Sequence, residues 1–228
     1  MADDSGFTGF PAWGVRFYGQ LQENNTKEFW TQHKSEWERA VRDPMRDLVE
    51  ELEDEFGPAT VFRPNRDLRF SADKSPYKTY QGAIAGPAAG IGFYVQLDAE
   101  GLLVGGGFHT HSPAQTDRFR AAIDADPSGA ELERITDALA AQGYVLGGAA
   151  LKTRPKGVDP DHPRLDLLRR KEIMALRRIG TPPWLESHEA LDQVRDHWVA
   201  IRPLSEWIVT HVGPAESRAG AGAGSRGR

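Results

Sequence analysis

Residues 66–78 read Arg-Asp-Leu-Arg-Phe-Ser-Ala-Asp-Lys-Ser-Pro-Tyr-Lys, which places four cations, two carboxylates, two serines and a tyrosine within thirteen positions. Arg69 offers a planar fork matched to a carboxylate or phosphate. Arg66 adds a second guanidinium, Lys74 and Lys78 add point charges, and Tyr77 adds a hydroxyl. Asp67 or Asp73 is the candidate general base or metal ligand. Together these types suit an anion pocket in which cations neutralise developing negative charge, and hydrolysis or phosphoryl-type transfer is the natural reaction class if there is one. The same residues can equally pair with one another and pin an irregular loop.

A second cationic run, Lys152-Thr153-Arg154-Pro155-Lys156-Gly157, would put residues 152, 154 and 156 on one face if extended. As a site it forms the far wall of one pocket shared with the first run. As plain structure it is a sheet edge guarded by lysines. Other groupings carry less. His109-x-His111 could face one way on a strand, but no third ligand at a diagnostic spacing accompanies it, so no metal is assigned. Asp159-Pro160-Asp161-His162-Pro163 reads first as a proline-stiffened turn with Asp caps. Gly105-Gly106-Gly107 lacks the spacing and the following helix of a nucleotide fingerprint; it either bends a strand or lets a backbone approach. The chain has no cysteine, which removes disulfides, thiolate metal sites and Cys nucleophiles.

Hydrophobic periodicity supplies the elements that must hold these residues. Trp13, Phe17 and Leu21 share one helical stripe, as do Phe29, Trp30, His33, Trp37 and Val41. Asn25 with Glu28 reads as a capping box, and Asp43-Pro44 as a fresh helix start ending at Gly57. The middle reads as an antiparallel sheet with strands over 59–63, 67–71, 81–85, 90–98 and 102–109; Ile91, Phe93, Val95 and Leu97 alternate strictly. Asp98-Ala99-Glu100-Gly101 reads as a longer hairpin turn. Helices then open at Ser112 and at Ser128, short strands are expected over 151–154 and 171–179, and two helices, 187–198 and 203–212, close the domain. The fold class is therefore α+β, an antiparallel sheet in the middle of the chain flanked by N-terminal and C-terminal helices. Residues 10–213 read as one domain, 1–9 as a disordered lead-in and 214–228 as a disordered Gly/Ala/Arg tail.

Several of these motifs recur in one order: Asn24-Asn25 before a helix with Phe29-Trp30, the 66–78 run, Gly105-Gly106-Gly107, then Leu151 to Asp159 followed by Asp161-His162-Pro163. Over about residues 10–210 this resembles the family catalogued as domain of unknown function 2461. The resemblance implies an antiparallel sheet with flanking helices and no particular reaction or cofactor. Phe108 stands where the resemblance leads one to expect Trp.

The formal charge of −5 argues against an extended polyanion as the main partner. It is unevenly spread, however. Residues 63–78 carry five bases and two acids, and residues 152–171 carry seven bases and three acids, in an otherwise acidic chain. No apolar run approaches the roughly 18 residues that span a bilayer, and Met1-Ala2-Asp3-Asp4 has no signal-peptide pattern, so a cytoplasmic protein without membrane contact is expected. The leading expectation is binding or turnover of a phosphate-bearing small molecule by Arg66, Arg69, Lys74, Tyr77, Lys78, Lys152, Arg154 and Lys156, with Asp67 or Asp73 as the acid/base group. Non-catalytic nucleic-acid binding and a scaffold stapled by its own ion pairs are the rivals; the residue types alone do not say whether the protein is an enzyme.

Overall fold

The computed structural model describes residues 6–69, 72–88, 90–109 and 112–214. Phe70, Ser71 and His111, the first five residues and the Gly/Ala/Arg tail from 215 onward lie outside the described residues.

The chain enters through helices α1 (Ala12–Glu23) and α2 (Lys27–Trp37). A π-helical turn, Glu38–Arg42, carries α2 without a break into α3 (Asp43–Glu51), so Asp43 does not restart the chain; its carboxylate pairs with Arg42 instead. A short α4 (Glu53–Phe56) ends at Gly57, whose positive φ of 88° terminates it. Residues 6–9 are not a loose lead-in: Phe7 is buried edge-on against Phe10, with ring centres 5.2 Å apart.

Six strands follow: β1 (Ala59–Val61), β2 (Tyr80–Ala88), β3 (Ile91–Asp98), β4 (Gly101–Phe108), β5 (Val145–Gly147) and β6 (Ile173–Gly180). Every pairing is antiparallel and the order is β1-β2-β3-β4-β6-β5. The expected strand at 67–71 is absent among its described residues, because the ladder between β1 and β2 closes at a single Asn65–Tyr77 bridge and leaves the described residues of 66–76 at the tip of that hairpin. The expected 151–154 strand is also absent; the edge strand lies earlier, at β5. The β3–β4 turn is shorter than expected, since Asp98 pairs directly with Gly101 and only Ala99 and Glu100 intervene.

The last third adds α5 (Pro113–Asp124), capped as the sequence suggests by Ser112, whose hydroxyl accepts from the amide of Gln115. Helix α6 (Asp126–Ala141) opens before Ser128, and that hydroxyl donates to the Ala122 carbonyl. A one-turn α7 (Leu165–Leu168) precedes β6. The two expected terminal helices are one, α8 (Glu189–His211), with Pro203 inside it. Pro203 is on the exposed side, where the carbonyl it leaves unbonded can turn to water.

Alternation decides which sheet face is covered. Ala83, Ala85, Phe93, Val95, Leu97, Leu102, Val104 and Ala175 point one way and are buried beneath α1, α3 and α8. Gly106 belongs to this face, and a side chain there would meet Ile201 of α8 at 2.9 Å. The other face, with Ile84, Tyr94, Gln96, Leu103, Met174 and Leu176, is left partly exposed. The Gly105–Gly107 run is thus a packing device: Gly107 holds φ 145°, and a Cβ there would strike the Ile173 carbonyl of β6.

Candidate functional site

The strand register decides whether the two cationic runs can share a pocket. The 66–76 tip extends from the start of β2, level with the end of β3 and the start of β4. Residues 152–156 follow β5 past an Ala150–Arg170 bridge, level with the start of β6, the end of β4 and the end of β2. They therefore sit at diagonally opposite corners of the sheet. Four strand spacings of about 4.8 Å and about eight residues of about 3.3 Å rise put on the order of 30 Å between them. Lys152, Arg154 and Lys156 do not complete a pocket with Lys78. Arg154 donates to the Val158 carbonyl of its own turn, and Arg169 braces the Lys152 carbonyl. Asp159-Pro160-Asp161-His162 is also a turn: the Asp161 amide donates to Asp159, and His162 faces Asp124 of α5.

At the first corner, long-range contacts build the scaffold. Asn25 does not cap α2; Thr26 does, its hydroxyl accepting from the Phe29 amide. The Asn25 carboxamide instead pairs with the backbone of Tyr77, donating to its carbonyl at 2.9 Å and accepting from its amide at 3.2 Å. Tyr77 itself is buried, stacked on Trp30 with ring centres 4.2 Å apart and planes within 11°. It belongs to the core rather than to a ligand pocket.

Much of the charge is already matched. Asp67 grips Arg69 with two oxygens, at 3.0 Å to Nε and 2.6 Å to Nη2. Asp73 accepts from the Ser75 amide and hydroxyl and pairs with Arg66. These contacts hold both carboxyls below the usual range: Asp67 chiefly through Arg69, and Asp73, to about 2, chiefly through Ser75. Carboxylates so stabilised are weak bases at neutral pH, and the geometry gives both an anchoring role. Lys74 turns back to the Leu68 carbonyl. Because the folded pKa of Asp73 lies below its unfolded value, its contribution is complete above about pH 4 and is lost as pH falls toward 2. The protection of the 72–78 amides against hydrogen exchange, relative to that of β3, should fall across this window; a constant ratio between the two segments would contradict the anchoring role.

Lys78 is different. Its ammonium lies 5.1 Å from the ring centre of Phe62 and 6.0 Å from that of Tyr80. No carboxylate among the described residues lies within ion-pair distance of it. Partial burial, and then the like charge of Arg63, lower its pKa. Beside it a groove of about 340 Å³ is lined by Arg66, Asp67, Lys78, Thr79 and Tyr80. Arg63 is exposed, has no carboxylate partner among the described residues, and acts electrostatically on both Lys78 and Asp67.

The sequence reading counted Arg63 in the 63–78 basic run and offered Tyr80 only as a stacking ring for nucleic acid; it missed Phe62 and Tyr94 as members of this corner. It also missed a cavity of about 390 Å³ where Phe56 of α4 and Phe93 of β3 meet Arg202, Ser205, Glu206 and Val209 of α8. His109 contacts Glu172, and its expected companion His111 lies outside the described residues. Among the described residues no three His, Asp or Glu side chains gather as a metal site, and no helix is long and apolar enough to cross a membrane.

No curated protein and no solved structure matches the chain. A family profile described as "Conserved hypothetical protein (DUF2461)" matches residues 14–207, from α1 to near the end of α8 and including the whole Lys78 corner. The chain therefore belongs to the DUF2461 family.

Proposed function

We propose that the protein binds a small phosphate-bearing ligand in the groove beside Lys78, with Lys78 and Arg63 supplying the charge and Thr79 a hydroxyl. The observation that carries this reading is an ammonium that is partly buried, seated on two rings and not matched by a carboxylate. Cation–π contacts are worth about 0.5–1 kcal/mol each at exposed sites. They offset only part of what a desolvated cation loses, and an arriving anion would supply the rest. Arg69 is satisfied by Asp67 and takes no part; Asp67, whose charge Arg69 matches, and Arg66, tied to Asp73, form the walls of the groove.

Titration calorimetry with inorganic pyrophosphate tests this. A charge-assisted hydrogen bond is worth about 1.5–3 kcal/mol. Lys78→Gln should therefore weaken binding by roughly ten- to hundredfold, while Lys156→Gln at the far corner should leave it unchanged. Equal affinity of Lys78→Gln and the parent protein would refute the assignment.

A further inference from the structure

The face of the sheet next to Lys78 carries aromatic rings whose orientation is fixed before any ligand arrives. Tyr94 of β3 stands diagonally across from Gly82 of β2, since Gly82 pairs with Gln96 and Ile84 pairs with Tyr94. A Cβ on Gly82 would lie 2.8 Å from the Tyr94 hydroxyl and 3.2 Å from the Phe62 ring. The missing side chain lets Tyr94 lie down over β2 and against Phe62, with ring centres 6.2 Å apart and a 34° tilt. A relay of side chains holds it there. Its hydroxyl donates to Gln96, the Gln96 amide donates to Asp98, and Asp98 is gripped by Arg178 through two bonds of 2.9 Å. Burial raises the pKa of the Tyr94 phenol, so it stays protonated and a donor at physiological pH. Phe62 and Tyr80 thus flank the lysine, and Tyr94 lies against Phe62, on the face of the sheet opposite α1, α3 and α8.

We infer that the ligand of this corner is a mononucleotide, its phosphate on Lys78 and its base laid on the flat ring of Tyr94 beside Phe62. The inference rests on the anion reading given above and adds the second half of the ligand. A flat-lying tyrosine presents its π-face, and any base can stack on a π-face without base-specific hydrogen bonds. Two unmatched cations, Arg63 and Lys78, suit one phosphate group. A long single strand would need a basic track, and along this face Arg178 is already matched by Asp98 and Glu100.

The test compares inorganic phosphate, ribose 5-phosphate, AMP and a ten-residue oligothymidylate by calorimetry on the full chain. Base stacking should make AMP bind about five- to hundredfold tighter than ribose 5-phosphate. Tyr94→Leu should erase that advantage and leave phosphate binding intact. Gly82→Ala, which only tips the end of the tyrosine, should reduce the advantage in the same direction and guards against misfolding of the leucine variant. Equal binding of AMP and ribose 5-phosphate overturns the nucleotide assignment while the anion site stands. Failure of all four probes overturns both. Tighter, steeply salt-dependent binding of the oligothymidylate overturns the mononucleotide in favour of a strand.

Discussion

Trp198→Ala should cost about 3–5 kcal/mol of folding stability, among the largest effects of any single truncation in the core. Trp198 has no exposed surface, lies stacked 5.6 Å from Phe93 of β3 and meets Phe56 of α4 edge-on at 5.2 Å. Its indole N–H donates to the backbone carbonyl of Tyr94 at 3.1 Å. Three elements thus meet on one ring, and alanine leaves a cavity that α8 cannot close without moving along the sheet. The bond to Tyr94 also bears on the proposed site. It ties the core face of β3 to the strand position whose ring lies on the opposite, uncovered face. Urea unfolding followed by circular dichroism measures the loss as a lower midpoint at unchanged slope. A loss under about 1 kcal/mol would mean that the site collapses freely and that Trp198 does not organise the core.

Tyr77→Ala should cost about 3 kcal/mol and loosen the 66–76 tip at the same time. The ring is 8% exposed, its stacking partner Trp30 is 6% exposed, and the Asn25 carboxamide pairs with its backbone. Among the described residues nothing accepts or donates a hydrogen bond to its hydroxyl, so Tyr77→Phe should stay within about 0.5 kcal/mol of the parent. The pair of variants separates two roles. A staple loses stability in the alanine variant and keeps it in the phenylalanine variant. A ligand-binding tyrosine would do the reverse, with unchanged stability and weakened ligand binding on loss of the hydroxyl. Thermal unfolding and pyrophosphate titration of both variants settle which holds.

Much of this architecture is legible in the chain because it is periodic. The alternation Ile91, Phe93, Val95, Leu97 gives β3 and its buried face directly, and Ser112 three residues before Gln115 gives the start of α5. Elements that lack a period are not legible. β5 is three residues long and exists only because β6 offers it an edge. Pro203 reads as a helix start, yet α8 runs through it, because burial of Trp198, Ile201, Leu204 and Ile208 along one stripe outweighs a bond lost on the wet side.

The candidate site divides in the same way. The density of charge in 66–78 marks the corner to which the proposed site is assigned. It does not say which charges are already matched: Asp67 with Arg69 and Asp73 with Ser75 and Arg66 are closed locally, whereas Lys78 stays open because its neighbours Phe62 and Tyr80 are rings. Asn25 and Tyr77 meet across 52 residues, and Gly82 and Tyr94 across two strands, so their roles depend on register rather than on local pattern. The expected partnership of Lys78 with Lys152 fails for that reason, since antiparallel order sends the two runs to opposite corners.

The most direct test is a backbone amide NMR titration with pyrophosphate. A binding site at one corner predicts saturable shifts at Arg63, Arg66, Lys78, Thr79 and Tyr80, with residues 152–157 unmoved. Shifts at Lys152 and Lys156 that saturate together with those at Lys78, or none at Lys78 under saturating ligand, would contradict it.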